Sequence, residues 1–128
     1  MKDGDFLGRV YSDGEVIFRE GDKGEGMYVV QSGKVRITKQ TSSGEVLINT
    51  IGNGDILGEM AIFDKLPRSA TASAMGEARV LSVDRAKLFR LISGDPTTAF
   101  KIIESMSSRI RRLSDELSKY KDTQAEII

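Results

Sequence analysis

The chain has no cysteine and no histidine among its 128 residues. Without cysteine there can be no disulfide, no thiolate metal site and no cysteine nucleophile, a usage that suits a reducing cytoplasm. Without histidine the commonest general base and the commonest protein metal ligand are both missing. Excess charge of one sign is lacking too: 19 basic residues balance 19 acidic ones, so no global field favours nucleic acid or an anionic membrane. Long hydrophobic runs are also missing. No stretch approaches the roughly 20 apolar residues needed to span a bilayer, and Met1-Lys2-Asp3-Gly4-Asp5 carries no apolar signal core. A cytoplasmic chain with no membrane partner is the expectation.

What is present is enough for about one ordinary globular domain, with 39% hydrophobic and 30% charged residues. From Val10 to Val83 the sequence reads as short strands. Val16-Ile17-Phe18, Met27-Tyr28-Val29-Val30, Val35-Arg36-Ile37-Thr38 and Val46 through Ile51 are rich in β-branched and aromatic residues. Ser12–Glu15, Gly21–Gly24, Gln31–Lys34 and Thr41–Glu45 are polar, glycine-bearing and predict turns between them. Ala70–Ala74 and Ala78–Val83 predict two further strands. Many short strands at close spacing predict a small jelly-roll barrel.

After Val83 the period becomes helical. Asp84 is an N-cap candidate before Arg85–Ile92, and Gly94-Asp95-Pro96 is expected to stop that helix. A longer helix is predicted from near Pro96 to about Gln124. Along it Ala99, Ile103, Met106, Ile110, Leu113, Leu117 and Tyr120 recur in steps of four and three, an a/d seam. The division expected is a barrel with a short flanking helix over 1–95 and a lid or dimerisation helix over 96–128, within one domain.

Chemistry concentrates between Gly54 and Ala72. Gly58 lets the backbone approach a ligand closely, because it has no Cβ. A turn at Met60 and Ala61 can direct N–H groups at phosphate oxygens, and Arg68 adds a planar, permanently charged fork. Glu59 is a strong acceptor for hydroxyls, and Pro67 stiffens the approach to Arg68 by fixing its own φ. Taken singly, Glu59 and Arg68 also fit a surface ion pair on an ordinary loop.

The run Gly58-Glu59-Met60-Ala61, a short spacer, then Pro67-Arg68-Ser69-Ala70-Thr71-Ala72 resembles the phosphate-binding cassette of cyclic nucleotide-binding domains, the family of catabolite activator proteins and protein kinase A regulatory subunits. The resemblance extends upstream through Glu20-Gly21-Asp22 and Gly26–Val35, and covers the chain roughly from Asp13 to Leu117. It implies a mainly β fold, a double-stranded β-helix or jelly roll with flanking helices and a long C-terminal helix. It implies binding of a cyclic nucleotide, with no catalytic residue, no metal and no cofactor beyond the ligand itself.

By that resemblance Arg68 holds the exocyclic phosphate, with the N–H groups of Ala61 and Ser69 completing the cradle. Glu59 and the Gly58 backbone take the ribose 2′-hydroxyl, the ribose handle that the cyclic phosphate leaves free. Val35, Ile48 and Leu57 match family positions facing ribose and base, and each also fits plain core packing. Ser69 carries a hydroxyl where an alanine leans towards cAMP, so cAMP is favoured while cGMP stays open. Arg109 matches a position able to pair with Glu59. Leu113 falls where the family's polar base-capping group stands, a departure from the pattern, with Arg112 or Ser114 beside it.

The seam fits one helix packed on its own barrel, but about three heptads with polar flanks favour a parallel helix pair in a homodimer. Several bacterial members of the resembled family use one last helix both to cap the base and to dimerise. Lys101, Arg109, Arg111, Arg112, Lys119 and Lys121 alternate with Glu104, Asp115, Glu116 and Asp122, so a solvated face is expected rather than a nucleic-acid surface. The function expected is a cyclic nucleotide sensor that couples ligand binding to movement of its C-terminal helix. The alternatives are the regulatory fragment of a cAMP-responsive transcription factor, a dimerisation module whose pocket binds no cyclic nucleotide, and, least, a barrel enzyme.

Overall fold

In the computed structural model, residues 6–64 and 66–127 are described, with the backbone alone at 63, 98 and 122–127. The N-terminal stretch 1–5 and Lys65 of the cassette lie outside the described residues. The chain divides into two compact units, Met1–Phe89 and Arg90–Ile128.

The first unit is an antiparallel sheet built on two long strands. In chain order come β1 (Arg9–Tyr11), β2 (Val16–Phe18), β3 (Met27–Thr41), β4 (Gly44–Gly52), β5 (Ile56–Leu57), the one-turn helix α1 (Met60–Phe63) and β6 (Thr71–Val83). The hydrogen-bonded order is β1-β6-β3-β4, with β2 also pairing β6 and β5 pairing β3. Every β5, β4 and β6 pairing to β3 is antiparallel, so residues far apart in sequence meet along one strand.

One of the expected turns is not a turn: Gln31–Lys34 lies inside β3. Likewise the two strands expected at Ala70–Ala74 and Ala78–Val83 are one continuous strand, β6, with Met75–Glu77 inside it. The reason is mutual pairing. Val30 faces Val80, Ser32 faces Arg79 and Lys34 faces Met75, with the register slipping on both sides of Ser32. A bulge of this kind accommodates the extra residues while the ladder continues. Gly33 takes φ 80 there, a left-handed conformation that glycine adopts without a Cβ clash. Gln31 turns its polarity to use: its amide nitrogen donates to the Phe6 carbonyl at 2.6 Å and its amide oxygen accepts from the Gly8 N–H at 2.7 Å.

The core lies between the faces of these strands. Tyr11, Val30, Val35, Leu57, Ala72, Ala74, Ala78 and Val80 form one buried cluster, with Ile17, Phe18, Tyr28, Ile37 and Ile51 packed on it. Fully burying a valine or leucine contributes about 1.5–3 kcal/mol, so this cluster is the main hold on the sheet. Alanines at 72, 74 and 78 leave room on β6 for the larger side chains of β3.

Helix α2 (Arg85–Gly94) begins as the sequence predicts. Asp84 accepts from the Lys87 N–H through its carboxylate at 2.7 Å, satisfying one of the donors a helix start leaves open. In the second unit α3 (Thr97–Ile127) runs 31 residues. Asp95 receives the Thr97 N–H at 3.1 Å and the Thr97 hydroxyl at 2.6 Å, and these bonds hold its carboxyl below the ordinary aspartate range.

Candidate functional site

The strand β5 ends at Leu57 and the chain turns sharply at Gly58, whose φ is 72. A Cβ there would run into the Arg68 guanidinium, so the position needs glycine both for its backbone and for its neighbour. Glu59 follows as the N-cap residue of α1, and the turn closes through the Ala61 N–H to the Gly58 carbonyl at 3.2 Å and the Ile62 N–H to the Glu59 carbonyl at 3.1 Å. The predicted cradle donor at Ala61 is thus bonded within its own turn, at the long end of the range for N–H to oxygen.

Two charged side chains are buried here. Glu59 is 1% exposed and Arg68 8% exposed, whereas charged residues are almost never fully buried without partners. The Arg68 guanidinium donates from Nη1 to the Gly58 carbonyl at 3.0 Å and from Nη2 to the Gly26 carbonyl at 2.7 Å. Its face lies 4.5 Å from the Phe18 ring centroid and 5.5 Å from that of Tyr28. Backbone carbonyls and rings thus partner the arginine that sequence reading paired only with an anion or with Glu59.

The loop from Arg19 to Gly26 holds the cassette from beneath. The Arg68 N–H donates to the Asp22 carbonyl and the Gly21 N–H donates to the Arg68 carbonyl, both at 2.8 Å. Lys23 and Pro67 form a bridge between the two segments, and the Glu20 N–H donates to the Thr71 hydroxyl oxygen at 2.9 Å. Asp22, Asp55 and Asp64 serve their own turns, each accepting a nearby N–H.

Of the predicted site residues, Gly58, Glu59, Ala61 and Arg68 come together on this turn, with Met60 and Ser69 exposed at its surface. Val35 and Leu57 are buried at 0% and 4% exposure in the adjoining core. Ile48 does not join them. The β3–β4 register slips between Ile37, which faces Asn49, and Thr38, which faces Leu47, so Ile48 has no direct partner; it is exposed together with the paired Val46 and Leu47 on β4, the edge strand of the sheet. Arg109 and Leu113 lie on α3 in the second unit, Arg109 half-buried and Leu113 exposed. A cleft of about 370 Å³ adjoins α1 and is lined by Ala61, Ile62, Gly24 and Arg85 among others, without Gly58, Glu59 or Arg68.

Residues that sequence reasoning missed are Phe18, Tyr28 and Gly26, which supply the two ring faces and one carbonyl on Arg68. Their distance along the chain, 42 residues for Gly26, leaves no local signal.

The model of the cyclic nucleotide-binding domain matches residues 8–95, and the chain belongs to that family. It is 34% identical over 106 residues to a CRP-like cAMP-activated global transcriptional regulator of Mycobacterium tuberculosis, covering 82% of this chain and 47% of the regulator. To the cyclic AMP receptor protein of Thermus thermophilus it is 34% identical over 113 residues, covering 88% of this chain and 52% of the receptor. The crystal structure of the Thermus thermophilus catabolite activator protein superposes with a TM-score of 0.79 at 33% identity, over 92% of this chain and 56% of that one. The jelly-roll fold with a C-terminal helix expected from the sequence is therefore the fold of this chain. The chain spans about half the length of these curated relatives.

Proposed function

We propose that this chain is a cyclic nucleotide sensor that binds its ligand at the turn from Gly58 to Ser69 and performs no chemistry on it. The observation that carries the proposal is Arg68, held 8% exposed beside the Gly58 turn in a chain of this family. A guanidinium has five N–H donors, and the two spent on the Gly26 and Gly58 carbonyls anchor its edge while the rest of the fork can meet phosphate oxygens. Burial strengthens such a contact because water screens it less. Glu59, buried at the start of α1, would accept the ribose 2′-hydroxyl, and Ser69 would add a hydroxyl at the phosphate.

The cAMP-named relatives favour cAMP over cGMP as the ligand. Differential scanning fluorimetry tests the proposal: millimolar cAMP should raise the melting temperature, since ligand that binds only the folded chain must stabilise it. No shift with either nucleotide would overturn it.

The partner we propose for α3 is a second copy of the chain. Ile103, Ile110, Leu113, Leu117 and Tyr120 are each more than half exposed on that helix. Their four-three spacing is that of a two-stranded coiled coil, and a stripe of large exposed apolar residues marks an interaction surface. Bound nucleotide would bias the placement of α3, by no more than its difference in affinity for the two placements. Amide hydrogen exchange along α3 with and without cAMP tests that coupling. No membrane-crossing helix occurs among the described residues, and a cytoplasmic sensor acting without direct nucleic-acid contact is the proposed setting.

A second reading takes the chain as the regulatory part of a longer transcription factor, favoured by its match to about half of two regulators. Sequencing the gene beyond the Ile128 codon decides between them.

A further inference from the structure

Apart from the Gly58 carbonyl, the partners of Arg68 come from one continuous segment. Phe18 at the end of β2, the Gly21–Asp22 backbone, Gly26 and Tyr28 at the start of β3 all contact this residue, either at its backbone or at its guanidinium. The two rings stand 5.5 Å apart and inclined by 32°, so together they form a shallow aromatic corner rather than a parallel stack. The guanidinium carbon lies closer to Phe18, at 4.5 Å, within the range where a cation is attracted to a ring face.

We infer that Phe18 is a positioning residue for phosphate binding, with Tyr28 in support. The inference deepens the proposed nucleotide function and rests on it. Arginine carries several rotatable bonds, and ordering such a side chain at the moment of binding subtracts from affinity. The two carbonyl bonds fix the edge of the guanidinium, and the Phe18 face fixes its plane. The remaining donors are then held in one fixed arrangement before the anion arrives. A ring face suits this task because it holds the cation without an anionic partner, leaving the charge to attract phosphate. An acidic residue in the same place would neutralise it.

Phe18 also packs on the core, so loss of the ring has a structural consequence unrelated to the ligand. The discriminating experiment is a double-mutant cycle read by cAMP titration of the full chain. Phe18→Leu should weaken cAMP binding about 3- to 30-fold, the range that corresponds to a partly or fully desolvated cation–ring contact. Phe18→Tyr should keep affinity within about twofold, since the ring face survives. In an Arg68→Ala background the Phe18→Leu effect should vanish, whereas a merely structural role would leave it in place. If Phe18→Leu does not fold, Phe18→Met provides the same comparison with a flexible apolar filler.

In the free protein, NMR signals of the Arg68 guanidinium should carry an upfield ring-current shift that Phe18→Leu reduces, leaving the smaller contribution of the more distant Tyr28 ring. Unchanged affinity in Phe18→Leu, or the same loss with and without Arg68, would overturn this inference and leave nucleotide binding standing. A chain that binds neither cAMP nor cGMP overturns both.

Discussion

The barrel and the last helix invert the ordinary distribution of residues in opposite ways. The barrel buries two charges, Glu59 and Arg68, while α3 exposes Ile103, Ile110, Leu113 and Leu117. Scattered exposed leucines mean little, but a buried charge or a contiguous apolar stripe is informative. The buried arginine is costly to hold unless carbonyls and rings satisfy it, and here they do. The exposed stripe is costly to leave in water, and its heptad spacing is the basis of the proposed pairing with a second copy. One region holds a buried cation on carbonyls and rings, the other leaves a large apolar surface uncovered.

The contrast predicts that equivalent substitutions act differently in the two regions. The largest effect is expected in the core beside the cassette. Leu57→Ala should cost about 2–5 kcal/mol of folding stability in urea titration, because Leu57 is 4% exposed. Leu117→Ala, at an exposed position, should change the intrinsic stability of the chain by no more than about 0.5 kcal/mol at concentrations where it is monomeric. Equal losses at the two sites would erase the distinction.

Next in size is the arginine. Arg68→Ala should lose about 1.5–3 kcal/mol of cAMP binding, and Arg68→Lys should recover part of it, since lysine brings charge without the planar fork. Calorimetry reads both, and full recovery by lysine would leave a point charge as the whole contribution. For the helix, replacing Ile110 and Leu117 together by lysine should halve the mass seen by light scattering while circular dichroism keeps the β signal. A wild-type chain already monomeric at high micromolar concentration would contradict the dimer. The smallest effect concerns Glu59: Glu59→Ala should weaken cAMP by about 0.5–1.5 kcal/mol and a 2′-deoxy analogue much less. Equal losses would remove the 2′-hydroxyl assignment.

The parts of this molecule that were legible in sequence are those whose cause is local. Asp84 caps α2 three residues from the N–H that it accepts, and the seam of α3 lies in consecutive turns of one helix. Gly58 through Ala72 carry the cassette pattern within a single short stretch, so the family was legible there. The continuity of β3 through Gln31–Lys34 was not legible, because glycine and polar residues there spell a turn and only pairing with β6 keeps the strand going. The same holds for β6 at Gly76. Ile48 looks like Val35 and Leu57 by residue type, yet it lies on the edge strand β4, where Val46 and Leu47 are exposed with it. Phe18 and Tyr28 read as ordinary strand residues, and only the fold brings them to Arg68.

The central claim is that the turn bearing Arg68 binds a 3′,5′-cyclic nucleotide, and calorimetric titration of the purified chain with cAMP and with cGMP tests it most directly. A saturable heat with one ligand per chain is expected, stronger for cAMP than for cGMP and greatly reduced in Arg68→Ala. No heat from either nucleotide at millimolar concentration, or binding that Arg68→Ala leaves unchanged, would contradict it.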